Sequence, residues 1–271
     1  MQRVKLGNTG IETSYLAIGT GTNGWNGSSN QTRLGFEKCV NLLEYAYDNG
    51  VAFIDSADMY GSHRETAELG KRVGRSNLVI ATKTVAKDAE KAKADIPRFL
   101  KELNADYLDI VLMHCMTRGD WPTAMRPVMD VLSDYKRRGV IRAVGVSCHD
   151  FAAFQNAAEE EWVDIVLARV NYDGVAMDAP PDQAIPVIER MKANGKAVYG
   201  MKVIGQARLA DNWKGAIKFV FDLDCVDAVT IGMQSREEID RNVDYIRSLF
   251  NPSSGSAPLN MRPNIGGLEA R

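Results

Sequence analysis

The chain reads as an α/β protein, a (β/α)8 barrel behind a short N-terminal β-hairpin, and three observations carry that reading. Apolar strand-like runs alternate with helical patterns through almost the whole length, and strict alternation requires a parallel sheet. Eight such units fit into about 230 residues, which suits the closed TIM-barrel architecture better than an open doubly wound sheet. Three early runs end in ionisable side chains: Phe53-Ile54-Asp55, Leu78-Val79-Ile80-Ala81-Thr82-Lys83 and Leu108-Asp109-Ile110-Val111-Leu112-Met113-His114. Barrel enzymes keep their chemistry at the strand C-terminal ends, so these side chains are expected to meet on one face.

In chain order, a hairpin turns at Gly7-Asn8-Thr9-Gly10, and strands are expected near 15–19, 52–55, 78–82, 108–113, 141–146, 164–170, 196–201 and 226–231. Phe36, Val40, Leu43 and Tyr47 recur on one helical face, as do Ile239, Val243, Ile246 and Phe250. Pro127 suits the first turn of the fourth helix. Ser235 with Glu238 forms a capping box at the start of the last one. Residues 1–250 are expected to be one barrel domain, and 251–271, rich in proline and glycine, a tail or a lid.

A hydrophobic fraction of 45 % with 25 % charged residues is ordinary for a soluble enzyme with a sizeable core. The net charge of −2 leaves no basic footprint for nucleic acid or an anionic membrane, so the expected partner is a small molecule. Cys39, Cys115, Cys148 and Cys225 are widely separated and make no C-x-x-C pair, which favours reduced thiols. The N-terminus lacks the apolar core of a signal peptide and no run is long enough to span a bilayer, so a cytoplasmic location is expected.

Asp55 is followed five positions later by Tyr60, a candidate general acid. A phenol titrating near pH ~10 needs a neighbouring cation to lower its pKa, and Lys83 is the expected cation. Asp55 would hold that ammonium in place, while His114 would orient a carbonyl or share the proton relay. Taken singly, Asp55 is a turn or cap residue, Tyr60 and His114 rim residues, and Lys83 a solvated strand end. Four such residues at three successive strand ends form an active-site constellation.

From about Arg3 to Phe250 the chain resembles an aldo-keto reductase. Val4-Lys5-Leu6-Gly7-Asn8-Thr9-Gly10-Ile11 resembles that family's opening hairpin, and Asp55-Ser56-Ala57-Asp58-Met59-Tyr60-Gly61 its D-x-A-x-x-Y-G signature. The resemblance implies an Asp55-Tyr60-Lys83-His114 tetrad and reduction of aldehydes or ketones with NAD(P)H. It also implies cofactor contacts from Gly19 and Thr20, from Asp55, from Ser147 at the carboxamide, and from Arg169, where a glutamine is usual. Gly232, Gln234, Ser235, Arg236 and Asn242 would hold the adenosine phosphate, at a helix start that favours anions. Ser235 and Arg236 favour NADPH, with NADH possible, and Arg241 replaces an acid common before the asparagine. Trp25, Met59, Cys115 and Trp121 are candidates for an apolar substrate wall. No metal is expected.

Three other readings compete. Gly19-Thr20-Gly21-Thr22-Asn23-Gly24 is formally G-x-G-x-x-G, but loop-like residues follow where a Rossmann helix should open. A metal-dependent barrel hydrolase would use Asp55, His114 and His149 as ligands, although no H-x-H or H-E-x-x-H pair exists. A non-catalytic nucleotide-binding barrel would bind coenzyme without turnover.

Overall fold

The computed structural model of the protein describes residues 1–250, and the tail or lid expected at 251–271 lies outside them. Strands β1 (Arg3–Lys5) and β2 (Glu12–Ser14) pair antiparallel, with Val4 opposite Thr13. The barrel strands are β3 (Leu16–Gly19), β4 (Phe53–Asp55), β5 (Val79–Thr84), β6 (Leu108–Met116), β7 (Ile141–Cys148), β8 (Ile165–Arg169), β9 (Ala197–Met201) and β10 (Ala228–Gly232). They close in the order β10-β3-β4-β5-β6-β7-β8-β9, every neighbouring pair parallel. Outside them pack α1 (Phe36–Asp48), α2 (His63–Val73), α3 (Ala89–Glu102), α4 (Trp121–Ala124), α5 (Arg126–Arg137), α6 (Phe151–Glu159), α7 (Pro181–Ala193), α8 (Trp213–Asp222) and α9 (Arg236–Phe250).

Two apolar layers follow from the period of two along each strand. Ala17, Phe53, Val79, Ala81, Ile110, Leu112, Ile165, Leu167, Ala197, Tyr199 and Ala228 fill the barrel interior. The alternate strand residues meet the helices in the outer core, where α1 contributes Val40 and Leu43, and α9 contributes Ile239, Val243 and Ile246. Phe250 stacks on Tyr15 with ring centroids 4.2 Å apart. Pro127 sits in the first turn of α5, as its fixed φ favours, and the single turn of α4 precedes it without a clear sequence signal.

The hairpin seals the N-terminal mouth. Leu6 and Ile11, both fully buried, join the interior cluster from its turn, and each such side chain contributes about 1.5–3 kcal/mol. Gly7 has φ +45°, and a Cβ on it would lie 2.4 Å from the Ala197 nitrogen, so the close approach to β9 requires glycine. With that end closed, the barrel interior among the described residues opens at the C-terminal mouth.

Three strands run two or more residues further than expected, β7 among them, which reaches Cys148 rather than stopping at 146. β5 continues past Thr82 to Thr84, and β6 past Met113 to Met116, so Lys83 and His114 lie inside strands rather than at their ends. The extra pairing is real on both sides: Thr84 pairs with Met113, and Met116 with Cys148 across a register shift. Cys115 takes φ 61° at that shift, which locally bends β6 just beyond His114.

Candidate active site

Strand parity selects the site. Asp55, Lys83, His114, Arg169 and Thr230 each stand two positions beyond an interior residue, namely Phe53, Ala81, Leu112, Leu167 and Ala228. They therefore project inward at the open mouth, one layer above the apolar core. Lys83 donates to the Asp55 carboxylate at 2.7 Å and to the Ser56 carbonyl at 2.7 Å. Tyr199 donates its hydroxyl to the same Asp55 oxygen at 3.1 Å, and Thr230 reaches the other oxygen at 3.3 Å. Burial opposes the Lys83 charge, but the Asp55 carboxylate and the Tyr60 phenol outweigh it and hold the pKa above its ordinary value. The ammonium is fixed as a cation.

Tyr60 ends a short 3-10 turn, Asp58–Tyr60, that leaves β4 through Ala57. Gly61 follows at φ 66°, where a Cβ would lie 2.0 Å from the Gly27 carbonyl oxygen. The phenol ring is wedged between two glycines: a Cβ on Gly21 or Gly24 would come within 2.3 Å or 2.4 Å of it. The G-x-G-x-x-G run thus serves close approach to a tyrosine, not the start of a Rossmann helix. Asp58 is gripped by the Arg98 fork at 2.7 and 2.8 Å, and Arg98 also binds Asp95 at 2.8 Å and Glu102 at 3.0 Å. The turn is thereby tied to α3.

The Lys83 ammonium lies 4.8 Å from the Tyr60 ring centroid, and the Tyr60 hydroxyl is 3.5 Å from His114 Nε2, at the long limit of a hydrogen bond. Contrary to the sequence expectation, the Tyr60 pKa is raised: burial is the largest cause, and it exceeds the lowering by Lys83, with Asp55 and Cys115 adding to the rise. His114 is pushed down to about 3 by burial, then by Lys83 and His149, so it is neutral at pH 7. Its Nδ1 is buried without a partner.

Asp55 and Tyr60 open into a cleft of about 570 Å³ that runs past Gly19 and Lys202 to Gln234, Glu238, Arg241 and Asn242 at the start of α9. The sequence profile of the Aldo/keto reductase family matches residues 17–215. The chain belongs to that family. Among curated relatives, aldo-keto reductase YhdN of Bacillus subtilis is 28 % identical over 167 residues, covering 54 % of this chain and 47 % of its own. The NADH-specific methylglyoxal reductase of Escherichia coli is 24 % identical over 205 residues, covering 66 % of this chain and 61 % of its own. The match therefore spans about half to three-fifths of those relatives. A solved Pseudomonas aeruginosa structure assigned to the aldo-keto reductases superposes with a TM-score of 0.74 at 25 % identity, covering 90 % of this chain and 93 % of that one.

Not every expected cofactor residue of this family member faces the cleft. Gly19, Asp55, Gly232, Gln234 and Asn242 line it. Thr20 is buried, its hydroxyl spent on the Asp55 carbonyl at 3.0 Å and on Ser62 at 2.7 Å. Ser147 is buried and accepts the Cys115 N–H at 2.9 Å. Arg169 binds Asp178 at 3.2 Å and meets His149 Nδ1. Ser235 accepts the Glu238 N–H at 3.3 Å, while the Glu238 carboxylate accepts from Gln234 N–H at 2.7 Å, one residue earlier than a standard capping box. Arg236 turns away and stacks over Tyr45 at 4.7 Å.

Of the expected substrate wall, Trp121 is buried and donates its indole N–H to the Ala153 carbonyl at 3.0 Å, so it packs the core instead. Trp25 is 66 % exposed, and Met59 is partly exposed, its carbonyl accepting the Gly27 N–H at 2.9 Å. Cys115 stays at the mouth, its Sγ 3.4 Å from His149 Nε2. For the hydrolase reading, Asp55 is committed to Lys83 and Tyr199, and among the described residues no three candidate ligands converge on one point. Tyr199, Thr230, Lys202 and Trp213 are site residues that the sequence reading missed; a polar side chain at an inward strand position was the available signal for the first two.

Proposed function

We propose that the protein reduces aldehydes or ketones to alcohols with a nicotinamide dinucleotide as reductant and Tyr60 as general acid. The observation that carries this reading is a phenol between a buried ammonium and a neutral imidazole, opening into a cleft long enough to extend to α9. The coenzyme supplies the hydride that reaches the carbonyl carbon. Tyr60 gives its proton to the carbonyl oxygen, and Lys83, near the ring, stabilises the phenolate left behind. Asp55 keeps Lys83 charged and placed. His114 presents Nε2 beside the phenol, where a neutral imidazole can hold a carbonyl oxygen without competing for the proton.

The cleft residues fit such a coenzyme. Asn242 Oδ1 is buried without a partner at the far end, an acceptor suited to an amino group such as that of adenine. Tyr60→Phe tests the reading: carbonyl reduction should fall roughly 100- to 10,000-fold while coenzyme binding, read by tryptophan fluorescence, stays nearly unchanged. Near-normal turnover in that variant would overturn it.

The sequence argument for NADPH rested on Ser235 and Arg236, but Arg236 lies over Tyr45 and Glu238 faces the cleft. A carboxylate there repels a 2′-phosphate and accepts from a ribose diol, and its bond to the Gln234 N–H occupies a donor that a phosphate would use. Arg241, stacked on Trp213 at 4.8 Å, is the opposing cation. Our reading is a preference for NADH, reversing the sequence expectation, and the NADH-specific Escherichia coli relative is in line with it.

A further inference from the structure

Lys83 turns into the barrel mouth, so its neighbours in β5, Thr82 and Thr84, face outward toward the helices. Both hydroxyls are engaged from α3. Thr84 donates to the fully buried Asp95 carboxylate at 2.7 Å. Thr82 Oγ1 meets His63 Nε2 at 2.7 Å, and His63 Nδ1 donates to Glu102, at the end of α3, at 2.7 Å. Glu102 is held down to about 2, first by that contact and, against its burial, by Arg98, so it is a fixed anion at neutral pH. The strand that carries the cation is thus fastened from outside on both sides of Lys83.

The segment that carries the acid is fastened at the same place. Asp58–Tyr60 is a single 3-10 turn, entered through an extended Ala57 that gives it no side-chain cap. Its outer hold is the Asp58 carboxylate in the Arg98 fork at 2.7 and 2.8 Å, a bidentate charge-assisted pair. Asp95 and Glu102 stand three residues before and four after Arg98, on one face of α3. They accept from the same guanidinium at 2.8 and 3.0 Å and so aim it. Arg98 therefore joins two paths. Through Asp58 it reaches the Tyr60 turn, and through Asp95 and Glu102 it reaches Thr84 and Thr82. None of the side chains of Asp58, His63, Asp95, Arg98 and Glu102 lines the cleft.

We propose that Arg98 is a positioning residue for proton transfer, which from outside the barrel sets the Tyr60 ring against the Lys83 ammonium, 4.8 Å from its centroid. The proposal rests on the reading of Tyr60 as general acid. Arginine is needed because its planar fork serves four carboxylate oxygens at once, which the compact ammonium of a lysine cannot do.

Asp58→Asn and Arg98→Ala are made in the full-length protein, each alone and combined with Tyr60→Phe. Asp58→Asn is the cleaner variant, since it cuts the link to the turn and leaves Arg98 on Asp95 and Glu102. Each single variant should lower kcat for butanal about tenfold to a hundredfold, the cost of a displaced reacting group, with KM and the coenzyme dissociation constant within about threefold. Arg98→Lys should recover part of the Arg98→Ala loss. Combined with Tyr60→Phe, either change should cost less than about twofold more, because it acts through the phenol. NMR of ring-labelled tyrosine, with the Tyr60 signal identified by its loss in Tyr60→Phe, reads the placement without turnover. Burial raises the phenol's pKa and Lys83 opposes the rise, so in Asp58→Asn the signal should shift and titrate at higher pH. Parent-like kcat in a folded Asp58→Asn protein overturns the proposal, as do losses that multiply in full with that of Tyr60→Phe. If the parent reduces no carbonyl, or Tyr60→Phe keeps normal turnover, the general-acid reading fails instead. The NMR signal then decides the link from Arg98 to the ring: movement in Asp58→Asn upholds it and an unmoved signal overturns it.

Discussion

The ring of Tyr60 occupies the space that a β-carbon on Gly21 would need, 2.3 Å from where that atom would lie. Backbone, not side chain, therefore sets the position of the candidate general acid on that side. Gly21→Ala should move the ring by a fraction of an ångström or more, and misplacement of that order costs about 100-fold in rate. Overpacking should cost about 1–3 kcal/mol of stability. Steady-state kinetics with a denaturant midpoint checks both, and unchanged kcat would show that the ring yields without loss.

How much of this was legible beforehand depends on what each residue answers to. Asp55, Lys83 and His114 were legible as ionisable ends of apolar runs; Lys83 and His114 lie inside their strands instead, and strand parity, which is local, is what turns all three inward. Tyr199 and Thr230 hold Asp55 from β9 and β10, and that contact exists only once the barrel closes β10 onto β3. Arg236 failed for a similar reason, since its direction is set by Tyr45 on α1, distant in sequence. The phenol's pKa was misjudged because charge partners show in a sequence and depth of burial does not.

Lys83→Met should damage both activity and fold. It leaves the Asp55 carboxylate, 5 % exposed, with only hydroxyl donors, and breaking a buried ion pair costs about 3–5 kcal/mol. The double variant Asp55→Asn/Lys83→Met should regain part of that stability without regaining turnover. Thermal or urea unfolding of the three proteins reads the first effect, and single-turnover reduction the second. Additive stability losses would mean that the pair is not coupled.

The pH profile follows from His114 and Tyr60. His114 titrates at about 3 in the folded chain against 6.5 unfolded, so between those values the unfolded chain binds a proton that the native one excludes. Stability should therefore fall as pH drops from 6.5 toward 3, with His149, at about 4, acting in the same direction. Activity should behave differently. With His114 already neutral and the Tyr60 pKa raised above 10.0, kcat/KM for a neutral aldehyde should stay flat from pH 6.5 to 10.0. A histidine-like inflection near pH 6.5 that disappears in His114→Gln would contradict this.

Coenzyme choice turns on Glu238. Its carboxylate lines the cleft three residues before Arg241 and four before the buried, unpartnered Asn242 oxygen, so it stands within the adenosine end of the proposed coenzyme path. The bond to the Gln234 N–H at 2.7 Å orients it and ties it to the loop after β10. Placing a phosphate a few ångströms from a half-exposed carboxylate costs on the order of 1 kcal/mol per charge at an effective dielectric between protein and water, hence about tenfold in affinity. Arg241 offsets part of this, but its stacking on Trp213 directs the guanidinium across an aromatic face. We expect the parent to bind NADH about tenfold more tightly than NADPH, measured as dissociation constants by fluorescence so that turnover does not enter. Glu238→Gln should narrow the gap by strengthening NADPH binding. Arg241→Ala should widen it by weakening NADPH more than NADH, and Arg236→Ala should leave both constants nearly unchanged. Tighter NADPH binding in the parent would show that Arg241, not Glu238, governs this end of the cleft.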